Sequence, residues 1–181
     1  MLFNSFHFLL FFPIVVFVFF IIPKKIRYIW LLIASYYFYM AWNPKYALLL
    51  AASTLITYLS GLLIDWSNKN SDEKKKKFQR KLWVFLSFSS NLAILFFFKY
   101  FKFALNNINI LFSNLGLHLI NPAFDVLLPI GISFYTFQAL SYTMDIYRGE
   151  INAQKNIVKY ALFVSFFPQL VAGPIPDLTA F

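Results

Sequence analysis

Long apolar runs alternate with short polar breaks along most of this chain. Apolar stretches lie near residues 2–22, 26–42, 46–64, 82–98, 127–147 and 157–172. A hydrocarbon core of about 30 Å takes about 20 residues of helix, so most of these runs are close to spanning length. Pro23, the Asn43-Pro44 pair and the Asn121-Pro122 pair punctuate the pattern, since the residue before proline is pushed out of helical geometry. Pro13 lies inside the first run, where a membrane helix tolerates it. That run lacks a basic leader and a small-residue cleavage site, so it reads as an uncleaved helix. Residues 65–81 (DWSNKNSDEKKKKFQRK) read as a hydrophilic loop. Residues 99–124 differ again. Phe101, Ala104, Leu105, Ile108, Leu111, Phe112 and Leu115 share one helical face, opposite Lys102, Asn106, Asn109 and Ser113. The expected element is an amphipathic helix lying in the interface. The fold class is therefore all-α, a polytopic helical membrane protein with about six membrane-embedded segments plus one interfacial amphipathic helix.

Composition agrees with this pattern. Of 181 residues, 60% are hydrophobic, 22% aromatic and 13% charged. Zero cysteines exclude disulfides, thiolate metal sites and a cysteine nucleophile within the chain. The net charge of +9 is uneven, with many of the 16 Lys and Arg between Lys69 and Lys81. That asymmetry speaks for loop topology and acidic lipid, not nucleic acid. The basic turns at Lys24–Arg27 and Lys69–Lys81 are two spans apart, so both are expected in the cytoplasm, with the N-terminus and Lys45 outside. Lys99 and Lys102 fall outside on this scheme and are expected to snorkel.

Polar residues inside the apolar runs carry the candidate chemistry. Ser53, Thr54, Thr57 and Ser60 recur at helical spacing beside Gly61, as helix–helix contacts in membranes do. Asn91, amid Ser87, Ser89 and Ser90, needs a partner. Trp30 and Trp42 sit toward opposite ends of the second run, as interfacial belts favour. In LLPIGISFYTFQALSYTMDIYR (residues 127–148), Pro129 stands where a helix would begin. Gln138, Ser141, Tyr142 and Asp145 fall on one helical face, expected to look at protein or a wet cavity. Asp145 and Arg148 are spaced for an ion pair. The last run, 157–172, is short and interrupted by Pro168 before Gln169. A re-entrant piece and a kinked span both fit it. His7 and His118 have no partner spacing for metal or nucleophilic work, and Asp125 fits a helix cap or a loop. No phosphate-binding loop, HExxH or GxSxG pattern occurs.

Residues 128–138 (LPIGISFYTFQ), 145–149 (DIYRG) and 166–175 (FFPQLVAGPI) closely resemble motifs of the membrane-bound O-acyltransferase family, in particular its bacterial polysaccharide O-acetyltransferase branch. Residues 35–63 resemble the family's second and third helices. The resemblance implies acyl transfer, of an acetyl group, from an acyl thioester or other activated donor to a hydroxyl of an exported or cell-surface polysaccharide. It implies no bound cofactor, a bacterial inner-membrane location and extracytoplasmic acetylation partners. It also implies a catalytic histidine in a later half, which neither His7 nor His118 matches. The chain is thus expected to be an N-terminal part, inactive alone and completed by a C-terminal half. By the resemblance, Ser133, Tyr135, Gln138, Pro168, Gln169 and Gly173 match buried core positions beside the family's reaction tunnel, with a structural or cavity-lining role. A non-enzymatic scaffold or transport subunit, or an inactive remnant, are the competing readings.

Overall fold

A computed structural model describes residues 6–41, 43–68, 72–116 and 131–172. Among them the regular structure is entirely helical, as expected. The helices are α1 (Phe6–Ile21), α2 (Arg27–Met40), α3 (Pro44–Ser67), α4 (Glu73–Asn114), α5 (Ile132–Arg148), α6 (Ile157–Ser165) and α7 (Phe167–Ala172), with a 3₁₀ turn at Lys24–Ile26.

Local signals account for the boundaries. Asn43 Oδ1 accepts from Lys45 N at 3.0 Å, and Pro44 opens α3, where its missing N–H costs nothing. Asp72 Oδ1 accepts from Lys74 N at 3.0 Å and opens α4. Asn156 Oδ1 does the same for α6, accepting from Val158 N at 2.9 Å and Lys159 N at 3.3 Å. Helix α5 closes at Gly149, whose φ of 81° puts it in the left-handed region. There Glu150 N reaches Asp145 O at 2.9 Å and Gly149 N reaches Ile146 O at 3.1 Å, which satisfies two terminal carbonyls.

Two elements differ from expectation. The hydrophilic stretch 65–81 is mostly helical, with α3 ending at Ser67 and α4 starting at Glu73. Its Glu, Lys, Gln and Arg are strong helix formers, so polarity there does not mean a loop. The amphipathic helix is not a separate interfacial element either. Span 82–98 and residues 99–114 belong to one continuous helix, because no Gly or Pro interrupts residues 73–114. At about 1.5 Å per residue, the 42 residues of α4 extend about 63 Å, twice a hydrocarbon core. Residues 117–124 of the expected amphipathic helix, with His118, lie outside the described residues, as do Trp42, Asp125 and Pro129.

Among the described residues, only α3 and α4 are long and apolar enough to cross a membrane by length and composition. Helices α1, α2 and α5 have 16, 14 and 17 residues. Much apolar surface still faces outward. Leu9, Phe17 and Phe20 of α1 are about 70% exposed, a costly arrangement in water.

Helix α3 is the hub, packed against α2, α4, α5 and α6. Its small polar residues Ser53, Thr54, Thr57 and Ser60 are buried at these contacts, as their spacing predicts. Gly61 lets α5 come close, since a Cβ there would stand 2.9 Å from both Tyr142 Cε1 and Ile146 Cδ1. Trp30 is half-buried and donates to Val15 O at 3.1 Å, so it ties α2 to α1.

Side-chain contacts bring alternate helix ends together. Arg80, near the start of α4, donates to Tyr147 O and stacks over the Tyr147 ring, near the end of α5. Asp65, near the end of α3, lines a cleft with residues 152–155 of the α5–α6 link. Lys159 of α6 lies over the Tyr28 ring of α2. The starts of α2, α4 and α6 therefore share one end with the ends of α3 and α5.

Candidate functional site

Pro168 cannot donate a hydrogen bond, and its ring clashes with the carbonyl four residues back in a continuous helix. The chain breaks at Phe166, where ψ is 109°, and α6 gives way to α7. An unbroken helix would join Phe167 N to Phe163 O. Here both groups find other partners. Gln138 Nε2 of α5 donates to Phe163 O at 2.8 Å. Phe167 N donates to Ser35 Oγ of α2, more weakly, at 3.4 Å. Side chains from two neighbouring helices thus take the place of one missing helical bond. Gln138 and Ser35 are buried to within 1% exposure.

Aromatic rings seal this junction. Phe167 packs against Phe38 and Phe11 with centroids 5.4 and 5.6 Å apart. One helical turn or more away on α5, Tyr142 lies against Tyr160 of α6, ring centroids 4.4 Å apart. The Tyr142 hydroxyl accepts from Gln154 N at 3.0 Å, and Tyr58 donates to Lys155 O at 2.6 Å, so α3 and α5 both hold the α5–α6 link.

A second polar path crosses three helices. Ser53 donates to Asn91 Oδ1 at 2.6 Å, and Asn91 Nδ2 donates to Ser87 O at 2.8 Å. Ser87 Oγ lies 3.1 Å from Thr143 Oγ1 of α5. Asn91 thus has the partner its apolar setting demands.

The expected site residues divide into groups. Tyr135, Gln138 and Tyr142 are buried together on the inner face of α5, and Ser133 and Asp145 are half-buried. Ser141 does not join them. It is exposed with Phe137, because the buried face follows Tyr135, Gln138, Ala139, Tyr142 and Ile146. Arg148 is exposed and forms an ion pair with Glu150, at 3.8 Å. Such an exposed pair contributes at most about 1 kcal/mol. Pro168 and Gln169 are half-buried at the junction. Gly173 lies outside the described residues.

Sequence reasoning missed Ser35 and Thr143, which look like ordinary small polar residues in apolar runs. It also missed Arg80, assigned to a solvated loop. The Phe163 carbonyl has no signature in a sequence beyond the proline five residues later.

Three buried polar atoms of the two motif regions have no hydrogen-bond partner among the described residues. They are the Tyr135 hydroxyl, Gln138 Oε1 and Gln169 Oε1. Buried polar groups in folded proteins are nearly always paired, so these valences are open to a further group. No cluster of three metal-ligating side chains occurs among the described residues. His7 is exposed near the start of α1.

Comparison with known proteins gives these motifs a class. The chain is 39% identical over 176 residues to a probable alginate O-acetylase AlgI of Pseudomonas putida, covering 97% of this chain and 35% of that protein. The probable alginate O-acetylase AlgI of Pseudomonas aeruginosa is 36% identical, covering 97% of this chain and 32% of its own. A peptidoglycan O-acetyltransferase of Helicobacter pylori is also 36% identical, covering 81% of this chain and 30% of its own. No protein-family profile and no solved structure matches. The chain is of the membrane-bound O-acyltransferase type. It spans about a third of the length of the curated relatives it matches.

The junction predicts an asymmetric response to substitution. Gln138→Leu leaves the Phe163 carbonyl buried without a donor, at a cost of about 1–3 kcal/mol. Ser35→Ala removes a longer, weaker bond and costs less. Thermal unfolding of the detergent-solubilised native protein checks this ranking, and an unchanged midpoint for Gln138→Leu would contradict it.

Proposed function

We propose that this chain supplies one wall of a membrane-embedded O-acyltransferase. The enzyme moves an acetyl group from an acyl thioester or another activated acyl donor to a hydroxyl of an exported or cell-surface polysaccharide. The observation that carries the reading is the relationship to alginate and peptidoglycan O-acetylases over nearly the whole chain. The junction supports it. The Tyr135 hydroxyl, Gln138 Oε1 and Gln169 Oε1 are polar groups held in an apolar interior with capacity to spare. A reaction route through a membrane protein needs such a lining, because a hydroxyl acceptor loses its water on entry.

Acyl transfer also needs a base for the acceptor hydroxyl and donors for the developing oxyanion. We assign the base to a histidine in the remainder of the native protein, and to this chain the shape and polarity of the cavity wall. The 181 residues alone are therefore inactive. Six segments are embedded, near 2–22, 26–42, 46–64, 82–98, 127–147 and 157–172. The shorter ones enter the bilayer packed against protein, which satisfies their backbone ends. The setting is a bacterial inner membrane with the N-terminus outside. Extracytoplasmic partner proteins complete polymer acetylation. The shared helix end, with Arg27, Arg80, Arg148, Lys155 and Lys159 near it, supports this orientation as the cytoplasmic side.

In a host deleted for the corresponding gene and without a paralogue, polysaccharide acetyl content is expected to fall and to return with the full native protein, but not with these 181 residues. Normal acetylation in the deletion strain would defeat the reading. Orientation is tested on the chain's cysteine-free background. Lys45→Cys should react with a membrane-impermeant maleimide on intact spheroplasts, and Asn152→Cys only after lysis. The reverse labelling would invert the topology.

A further inference from the structure

Two adjoining hollows lie between α1, the 3₁₀ turn, α2 and the α6–α7 region. One is a wholly apolar trough of 390 Å³, walled by residues that include Val15, Val16, Phe20 and Pro168. The other, of 480 Å³, is walled by Lys24, Lys25, Arg27, Tyr28 and Lys159 among others. Phe19 and Leu31 line both, so the two hollows lie side by side. Together they form a groove that is apolar on one side and cationic on the other.

Among the described residues, no ion pair is formed by Lys24, Lys25, Arg27 or Lys159. Arg27 is instead braced by Ile22 O, which accepts from its Nε at 3.0 Å, and by the Phe19 ring at 4.8 Å. Lys159 stands 5.8 Å from the centre of the Tyr28 ring. Aromatic faces hold both cations without neutralising them. Lys24 and Lys25 are exposed on the turn. Four positive charges with no carboxylate partner among the described residues, set beside an apolar trough, are complementary to one ligand shape, an anionic head on an acyl chain.

We propose that this groove binds an anionic phospholipid, with its phosphate among Lys24, Lys25, Arg27 and Lys159 and an acyl chain along Val16, Phe19 and Leu31. A zwitterionic lipid offers the same chain without the net charge, and free phosphate offers the charge without the chain. The groove uses both. Pro168 forms part of the trough wall, so the bound chain would brace the outer side of the α6–α7 break. The inference rests on the membrane setting and not on acyl transfer. Loss of polysaccharide acetylation with lipid binding intact, or the reverse, separates the two.

Native mass spectrometry of the full native protein in detergent, with phosphatidylglycerol or phosphatidylcholine added, is the test. Phosphatidylglycerol should stay bound and phosphatidylcholine should not. Each basic residue near a phosphate contributes enough that Lys24→Gln/Lys25→Gln/Lys159→Gln should weaken phosphatidylglycerol binding on the order of 100-fold. The matched triple Lys74→Gln/Lys75→Gln/Lys77→Gln on α4 should leave it unchanged. Val16→Trp fills the trough and should weaken the lipid while sparing inorganic phosphate. Equal retention of the two lipids, or wild-type affinity in the first triple variant, would overturn the proposal. So would indifference to Val16→Trp, which would mark a simple phosphate site.

Discussion

The break at Phe166 is the constraint on which the rest of this structure depends. An open carbonyl and an open N–H inside an apolar bundle each cost several kcal/mol if left bare. The break ahead of Pro168 opens both at one place. Ser35 and Gln138 answer them, so α2 and α5 must stand where their side chains can reach α6 and α7. Helix α3 then has a fixed space to fill, and it does so with small residues. Gly61 admits Tyr142 and Ile146, while Ser53 and the α4 pair Ser87–Asn91 extend the polar path to Thr143. The motif of α5 reaches the last turn of α6, just before the motif around Pro168, through one hydrogen bond from Gln138 to the Phe163 carbonyl.

The sequence showed this unevenly. Local chemistry was plain where one residue sets the geometry, as at Asn43-Pro44. Gln138 and Asn91 were recognisable as needing partners, because an amide in an apolar run must be satisfied. Their partners were harder. Asn91 pairs with Ser53, which was visible only as a small contact residue, and Gln138 pairs with a backbone carbonyl. Helix α4 was misjudged for a different reason. Polarity suggested a loop and amphipathicity suggested a turn into the interface, yet nothing between residues 73 and 114 breaks a helix. Ser141 shows the limit of a helical wheel. The wheel grouped it with Gln138 and Tyr142, but packing against α3 and α6 rotated the buried face so that Tyr135, Ala139 and Ile146 fill it.

The relationship to O-acetylases gives the junction its meaning, and the junction in turn limits what this chain can do. Its buried groups are tyrosine hydroxyls, amides and backbone carbonyls, which orient and desolvate but make poor bases at neutral pH. Arg148 and Glu150 are exposed at the end of α5, away from the buried junction. The described residues build a packed junction with buried polar groups, and under the proposed function they shape the enzyme's interior and do not serve as its base.

A double-mutant cycle between Pro168 and Gln138 tests the central claim most directly. If the proline creates the vacancy that Gln138 fills, Pro168→Ala lets Phe167 N return to Phe163 O. Gln138→Leu should then cost less in the Pro168→Ala background than in the native one, with a coupling of about 1 kcal/mol, well above the ~0.5 kcal/mol expected of independent sites. Unfolding free energies of the four proteins that add without coupling would contradict the account, since the amide and the break would then be neighbours and not cause and remedy.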